Sequence, residues 1–280
     1  MIIFKTAEQL TSYLADKKTK GVKIGFVPTM GALHEGHLSL IGQSKEHNSL
    51  TVCSIFINPT QFNNKEDFKL YPVTIEKDIE QLIKAGCDAL FLPMEGEIYP
   101  EQYQTRHFEL GKLEYILEGH YRPGHFQGVC QVVDRLLSIT NPDNLYIGQK
   151  DYQQCMVISK LVELTGKSTD IHINIAPTIR ERDGLAMSSR NMRLSQEQRR
   201  HALAIYKELL SIKQCLHAQP LEQLKTNATK HLQDEGFSVD YVEIANAETL
   251  EPATGVQERL VALVAASLGS IRLIDNLSLN

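Results

Sequence analysis

Short β-rich runs alternate with stretches of helical spacing through the first 176 residues, and this rhythm limits the possible folds more than any other feature. Residues 22–27 (VKIGFV) are apolar and stop at Pro28, and from His37 apolar residues recur at Leu38 and Ile41 before polar ones take over. The pattern then returns. Residues 50–58 (LTVCSIFIN) are β-rich; residues 74–85 place Ile75, Ile79, Leu82 and Ile83 at helical intervals, with Gly86 where a C-terminal cap belongs; residues 88–92 read as a short strand. Further on, 128–139 read as helix, 144–147 as extended, 153–164 as helix and 171–176 as extended. Such alternation implies an α/β fold with a mostly parallel sheet and helices on both faces, whose ligands gather at the C-terminal strand ends.

Pro177 and the polar stretch TIRERDG interrupt the rhythm. Beyond them Ser195 and Gln198 form a capping-box signature ahead of a long helix expected over 196–216. A second helix over 221–235 and strand-like runs at 237–244 and 259–266 suggest a second, smaller α/β unit. We therefore expect two domains, 1–176 and 177–280. The chain has 280 residues with 42% hydrophobic content, enough for each domain to bury its own core. A net charge of −5, with both signs interspersed, gives no basic stripe for nucleic acid. The five cysteines are widely spaced and never form C-x-x-C, so neither a disulfide framework nor a zinc knuckle is indicated. The first residues, MIIFKTAEQL, turn polar too soon for a signal peptide, and no apolar run approaches the roughly 20 residues that span a bilayer. A soluble cytoplasmic protein that does not engage the membrane is expected.

The loop after the first expected strand, PTMGALHEGH, carries the chemistry. Gly31 and Gly36 permit backbone angles or close approaches that a side chain blocks, and a helix starting near Gly36 points amide N–H groups back into the loop, which favours an anion. His34 and His37, three apart, fall on one side of the first helical turn, where both rings reach a phosphate held at the helix start. Two other readings stay open on spacing alone, a metal pair and histidines that satisfy only structural hydrogen bonds; the spacing is not the H-E-x-x-H of zinc proteases. A Walker-type loop is excluded, because the G-K-S at 166–168 has Leu161 where the first glycine belongs.

The other strand ends add polar groups. Asn58 and Gln61 flank Pro59, offering neutral donors and acceptors to a small polar substrate, or else forming a simple turn. Arg122 and His125 bracket a Pro-Gly turn, to meet a carboxylate or to sit in a solvated loop. Gly148 and Lys150 follow another strand and set a cation at the sheet edge, with Asp151 and Gln154 opening the next helix. Ser188, Ser189 and Arg190 supply two hydroxyls and a guanidinium suited to phosphate oxygens, unless they form only an interdomain loop.

With these segments together, the chain resembles the pantoate–β-alanine ligase family of the HxGH nucleotidyltransferase superfamily. The resemblance runs nearly end to end through PTMGALHEGH, SIFINPTQF, YRPGHFQGV, IGQKDYQQ and DGLAMSSRN, in family order. It implies a Rossmann-like doubly wound parallel sheet with a C-terminal lid domain. It implies too that pantoate attacks the α-phosphate of ATP to give pantoyl adenylate, from which β-alanine displaces AMP. Carried over by motif, Met30, Gly31, Ala32, Leu33, His34, Glu35, Gly36 and His37 would line the ATP site, with His37 as proton donor and His34 on the phosphates. Gly148, Gln149, Lys150 and Asp151 would touch the nucleotide, Lys150 reaching phosphate, while Ile179 and Met187 with Ser188, Ser189 and Arg190 would cover it. Gln61 and Gln154 would hold pantoate, and Gln61 would also meet β-alanine. Magnesium would accompany ATP; the family's metal contacts lie near Asp78 and Gln81, but Lys77 stands at a position that can be acidic in relatives, so no side chain is assigned as a metal ligand. A homodimer is implied as well. A transferase that leaves the nucleotide on its acceptor and a catalytically silent nucleotide sensor are the competing readings.

Overall fold

The computed structural model of the chain describes residues 1–256 and 259–280. The chain folds into two compact units. One comprises Met1–Gln149 and Gln153–Pro177, the other Lys150–Tyr152 and Thr178–Asn280. The partition differs from a simple cut at 176/177 in that Lys150–Tyr152 group with the second unit.

The first unit is built on six strands, β1 (Ile2–Phe4), β2 (Ile24–Thr29), β3 (Leu50–Ile55), β4 (Ala89–Phe91), β5 (Asn144–Gly148) and β6 (His172–Ala176), in the order β1-β4-β3-β2-β5-β6. Every pairing is parallel. Alternate residues of one strand face opposite sides of a sheet, and the buried residues sort accordingly. Phe26, Val52, Phe91, Leu145 and Ile147 enter one core with Leu10, Leu14 and much of the helix His125–Thr140. Val27, Cys53, Leu90 and Tyr146 enter the opposite core with Leu40 and Ile41 of the helix Glu35–His47 and Leu82 of the helix Ile75–Lys84. Each fully buried large side chain contributes about 1.5–3 kcal/mol, so the two-sided burial that makes β3 apolar at most positions also holds the sheet between its helices. The strand order reverses between β2 and β5, and at such a switch point the loops leaving the two strands diverge and open a crevice at their C-terminal ends.

The second unit holds an antiparallel sheet, β7 (Ser238–Asn246), β8 (Leu260–Leu268) and β9 (Ile271–Ser278), in sequential order. The helices Leu203–Cys215 and Leu221–Asp234 supply Ile205, Leu209, Ile212, Leu224 and Leu232 to the core it shares with Leu260, Ala262 and Val264. Two expectations need correction here. The helix expected over 196–216 is two helices, Gln196–His201 and Leu203–Cys215, because ψ of −25° at buried Ala202 tightens the turn between them. Strand β9 was not anticipated, since Asp275 and Asn276 break the apolar alternation of Ile271, Leu273 and Leu277. Among the described residues no helix is long and apolar enough to cross a membrane.

Candidate active site

The HxGH loop leaves β2 at its C-terminal end, as expected. Thr29 Oγ1 donates to Ser54 O on β3 at 2.7 Å and accepts from Gly31 N at 3.2 Å, which turns the chain off the sheet. Gly31 has φ of +83°, and a Cβ there would lie 3.0 Å from Ile55 Cγ2 and 3.1 Å from Asp78 Oδ2. Ala32 follows with φ of +48°, a left-handed angle costing about 1–2 kcal/mol for an L-residue.

What offsets that strain comes from a distant helix. Asp78, with no exposed surface, accepts from Ala32 N (2.9 Å), Leu33 N (2.9 Å) and the Thr74 hydroxyl (2.9 Å). Two amides of the loop, from residues expected to line the ATP site, are therefore held by a carboxylate of the protein itself. Asp78 was noted in the sequence only as a neighbour of family metal contacts. Its place beside Ile75 and Leu82 on an otherwise apolar helical face, four residues after Thr74, was the signal of a buried role. A mostly apolar pocket of about 190 Å³ adjoins this carboxylate, lined among others by Met30, Gly31, Phe56, Val73 and Leu92.

The helix Glu35–His47 starts one residue earlier than expected, with His34 extended at its N-cap. His37 N and Leu38 N both donate to His34 O, at 2.8 and 3.1 Å. The two imidazoles stack at 4.0 Å between centroids, and His34 N donates to His37 Nδ1 at 3.4 Å. A ring nitrogen that accepts carries no proton, so neutral His37 holds its hydrogen on Nε2, making that atom the donor. Glu35 is exposed at the helix start.

Gln61 ends a 3-10 turn, Pro59–Gln61, just beyond β3. Its Nε2 donates to Met30 Sδ (3.3 Å), and its Oε1 accepts from Asn58 Nδ2 (3.1 Å). Asn58 is 1% exposed, and its amide is occupied by Gln61, Gly128 O, Thr60 and the Tyr99 hydroxyl, so it shapes the turn around Gln61. Burial pushes the Tyr99 phenol up to about 12, which keeps it protonated as the donor to Asn58 Oδ1. Arg122 and His125, left between ligand and solvent by the sequence, both donate to Gln61 O, at 3.4 and 2.9 Å, and Arg122 also pairs with Glu118 at 3.4 Å. Gly128 lets the helix His125–Thr140 lie against this turn, since a Cβ would sit 2.2 Å from Thr60 O. Of the adjacent glutamines, Gln153 is buried and donates to Leu113 O and Ile116 O, whereas Gln154 is half-buried.

At the neighbouring strand, Gly148 closes β5 and Gln149 N donates to Ala176 O (2.8 Å). The parallel register of Gly25 with Asn144 brings the ends of β2 and β5 to the same sheet edge.

In the second unit, Lys150–Tyr152 are tied down at both ends, by Asn276 Nδ2 to Lys150 O (2.9 Å) and Tyr152 Oη to Ala247 O (2.7 Å), with half-buried Asp151 between them. An antiparallel bridge between Arg180 and Ala186 and the bond from Met187 N to Ile179 O (3.0 Å) bring Ile179 and Met187 together across a hairpin. Ser188 then caps the 3-10 turn Ser189–Arg193 by accepting from Arg190 N at 3.2 Å, and Ser189 is buried.

A parallel sheet with a reversal in strand order and an HxGH loop at its C-terminal edge defines an α/β enzyme of the doubly wound class, whose ligands bind in the crevice at the strand ends. The family model described as pantoate-beta-alanine ligase matches residues 2–278, and the chain belongs to that family. It is 46% identical over 282 residues to the pantothenate synthetase of Cytophaga hutchinsonii and 43% identical over 280 residues to that of Thermotoga petrophila, each alignment covering 99% of both chains. Pantothenate synthetase from Thermus thermophilus superimposes with a TM-score of 0.93 at 38% identity, covering 100% of this chain and 99% of that one. The pantoate-beta-alanine ligase from Francisella tularensis, complexed with beta-gamma ATP and beta-alanine, gives 0.85 at 38% identity, with 99% and 97% covered.

Proposed function

We propose that this chain condenses pantoate with β-alanine at the expense of ATP, through a pantoyl adenylate, in the cytoplasm and as a homodimer. A pantoate carboxylate oxygen attacks the α-phosphorus, and the bond to the bridging oxygen breaks, releasing pyrophosphate. The amine of β-alanine then attacks the acyl carbon; AMP departs with the acyl C–O electron pair, and the nitrogen loses a proton. Neither step requires a protein nucleophile, so positioning and charge supply the rate.

The residue roles are those that the family resemblance implies, and the geometry of the loop and of the strand ends is compatible with them. Met30 and residues 31–37 form the nucleotide loop, and His37 donates from Nε2 to a phosphate oxygen as pyrophosphate leaves, with His34 stacked behind it. Gln61 and Gln154 bind pantoate, Gln61 also meeting β-alanine. Asn58, Arg122 and His125 act on substrate through Gln61. Gly148, Gln149, Lys150 and Asp151 approach the nucleotide, Lys150 as the phosphate cation. Ile179, Met187, Ser188, Ser189 and Arg190 complete its cover, which keeps water from the adenylate.

No side chain is assigned to magnesium. Asp78 is occupied by two amides and a hydroxyl, and no group of three or more His, Cys, Asp or Glu among the described residues is arranged to hold a metal. Magnesium would enter on the ATP phosphates with water as its other ligands.

The observation that carries this reading is the full-length family match joined to a Gln61 braced by Asn58, Met30, Arg122 and His125 at the strand end next to the HxGH loop. The test is to supply ATP, magnesium and pantoate and follow pyrophosphate, then AMP after β-alanine is added. Pantoate-dependent pyrophosphate followed by β-alanine-dependent AMP supports it. A product that retains the nucleotide, or tight ATP binding without turnover, refutes it.

A further inference from the structure

Strand β9 carries two polar residues where an apolar strand would be simpler. Asp275 is 5% exposed and Asn276 3%. Asp275 holds Arg180 through paired contacts, Nη1 to Oδ2 at 2.6 Å and Nη2 to Oδ1 at 3.0 Å. The same guanidinium donates to Gly184 O (3.2 Å) and Asn276 O (3.2 Å) and lies 3.9 Å over the Tyr206 ring. It therefore welds the base of the hairpin that leads into Met187–Arg190 onto β9. Asn276, the next residue, turns its side-chain amide to Lys150 O at 2.9 Å. Two segments far apart in sequence, both assigned to the nucleotide, are thus gripped by adjacent residues of one strand.

We infer that Asn276 is a positioning residue for the phosphate-binding lysine, fixing the main chain from which the Lys150 ammonium extends, while Asp275 fixes the Met187–Arg190 segment through Arg180. The inference rests on the functional reading above, which makes Lys150 the cation on phosphate. Backbone placement matters because a cation reached through a flexible four-carbon stem is useful only if its base is fixed, and a misplacement of about 1 Å in such a group can cost on the order of 100-fold in rate. Burial raises the Asp275 carboxyl above its ordinary value, opposed by Arg180 and by the charge of Lys150, so the lysine acts electrostatically on this same anchor.

The test is a double-mutant cycle read by pantoate-dependent exchange of labelled pyrophosphate into ATP. Asn276→Ala is expected to lower the exchange kcat by about 10- to 100-fold with the KM for pantoate unchanged. In a Lys150→Ala background the same change should alter the residual rate by less than about twofold, because the group it positions is gone. An equal loss in both backgrounds, or no loss in either, overturns the inference. Asn276→Ser, whose hydroxyl is too short to reach Lys150 O, is the second variant should the alanine protein fail to fold. If neither folds, Asn276 is architectural and the inference falls. Wild-type exchange by Lys150→Ala alone would instead refute the functional reading, which keeps the two failures apart.

Discussion

Replacing Asp78 by asparagine tests how the HxGH loop is held. The side chain keeps its shape, so Oδ1 can still accept from Leu33 N and the Thr74 hydroxyl. Its new NH₂ group then faces Ala32 N, donor against donor, where a carboxylate oxygen accepted at 2.9 Å. A hydrogen bond to a charged group is worth about 1.5–3 kcal/mol, and confronting donors adds to the loss, so the substitution costs about 3 kcal/mol at this site. The carboxylate is also what offsets the left-handed Ala32, at φ of +48°, so the loss falls first on the loop. At about 1.4 kcal/mol per factor of ten, the competent loop is depleted on the order of 100-fold. The assay is pantoate-dependent pyrophosphate exchange, with ATP and magnesium varied separately, beside urea unfolding. Expected are a fall of about 100-fold in kcat/KM for ATP, an unchanged KM for pantoate, and the wild-type magnesium dependence. Wild-type kcat/KM for ATP would refute the anchoring argument, and a raised magnesium requirement with ATP binding intact would make Asp78 a metal ligand.

Gly128→Ala should raise the KM for pantoate and destabilise the protein by about 1–3 kcal/mol in urea unfolding, because the new Cβ meets backbone atoms of Thr60 and Gln61 at 2.2–2.9 Å; an unchanged KM would mean that Gln61 is not held by this contact. In the native protein a thiol reagent should modify Cys215 first and the four buried cysteines only after denaturation, since burial also pushes Cys87 up to about 11 and Cys130 up to about 12; rapid reaction of all five would contradict the described core. Tyr99 predicts an alkaline limit. Its folded pKa, about 12, lies above the ordinary 10.0, so its contribution to stability is complete below 10.0 and lost as pH rises through about 12. Tyr99→Phe should flatten the stability profile between those values, as measured by urea midpoints across pH.

Much of the architecture was legible because it depends on local pattern. Val27 and Phe26, or Cys53 and Val52, point to opposite cores simply by alternation, and the apolar runs of β2, β3 and β5 announced a sheet covered on both faces. The histidines of the HxGH loop were legible for a similar reason, being three apart at a strand-to-helix junction. Edge strand β1, three residues long, has too few positions to establish a period, and β9 hides its period behind Asp275 and Asn276. Arg122 and His125 stayed open between a carboxylate ligand and a solvated loop, because the group they meet, the carbonyl of Gln61, lies 61 and 64 residues away.

The amino-acid order by itself determined the parallel scaffold, the HxGH loop at its edge and the family to which the chain belongs, because periodicity, turn chemistry and motif spacing act within a few residues of one another. Only the folded chain decided that Asp78 satisfies the loop amides, that Asn58, Arg122 and His125 serve Gln61, and that Asn276 grips Lys150. Those are choices among many polar partners of similar chemistry. Burial selects between them, since a polar group removed from water must find its complement wherever the packing of distant elements happens to place one.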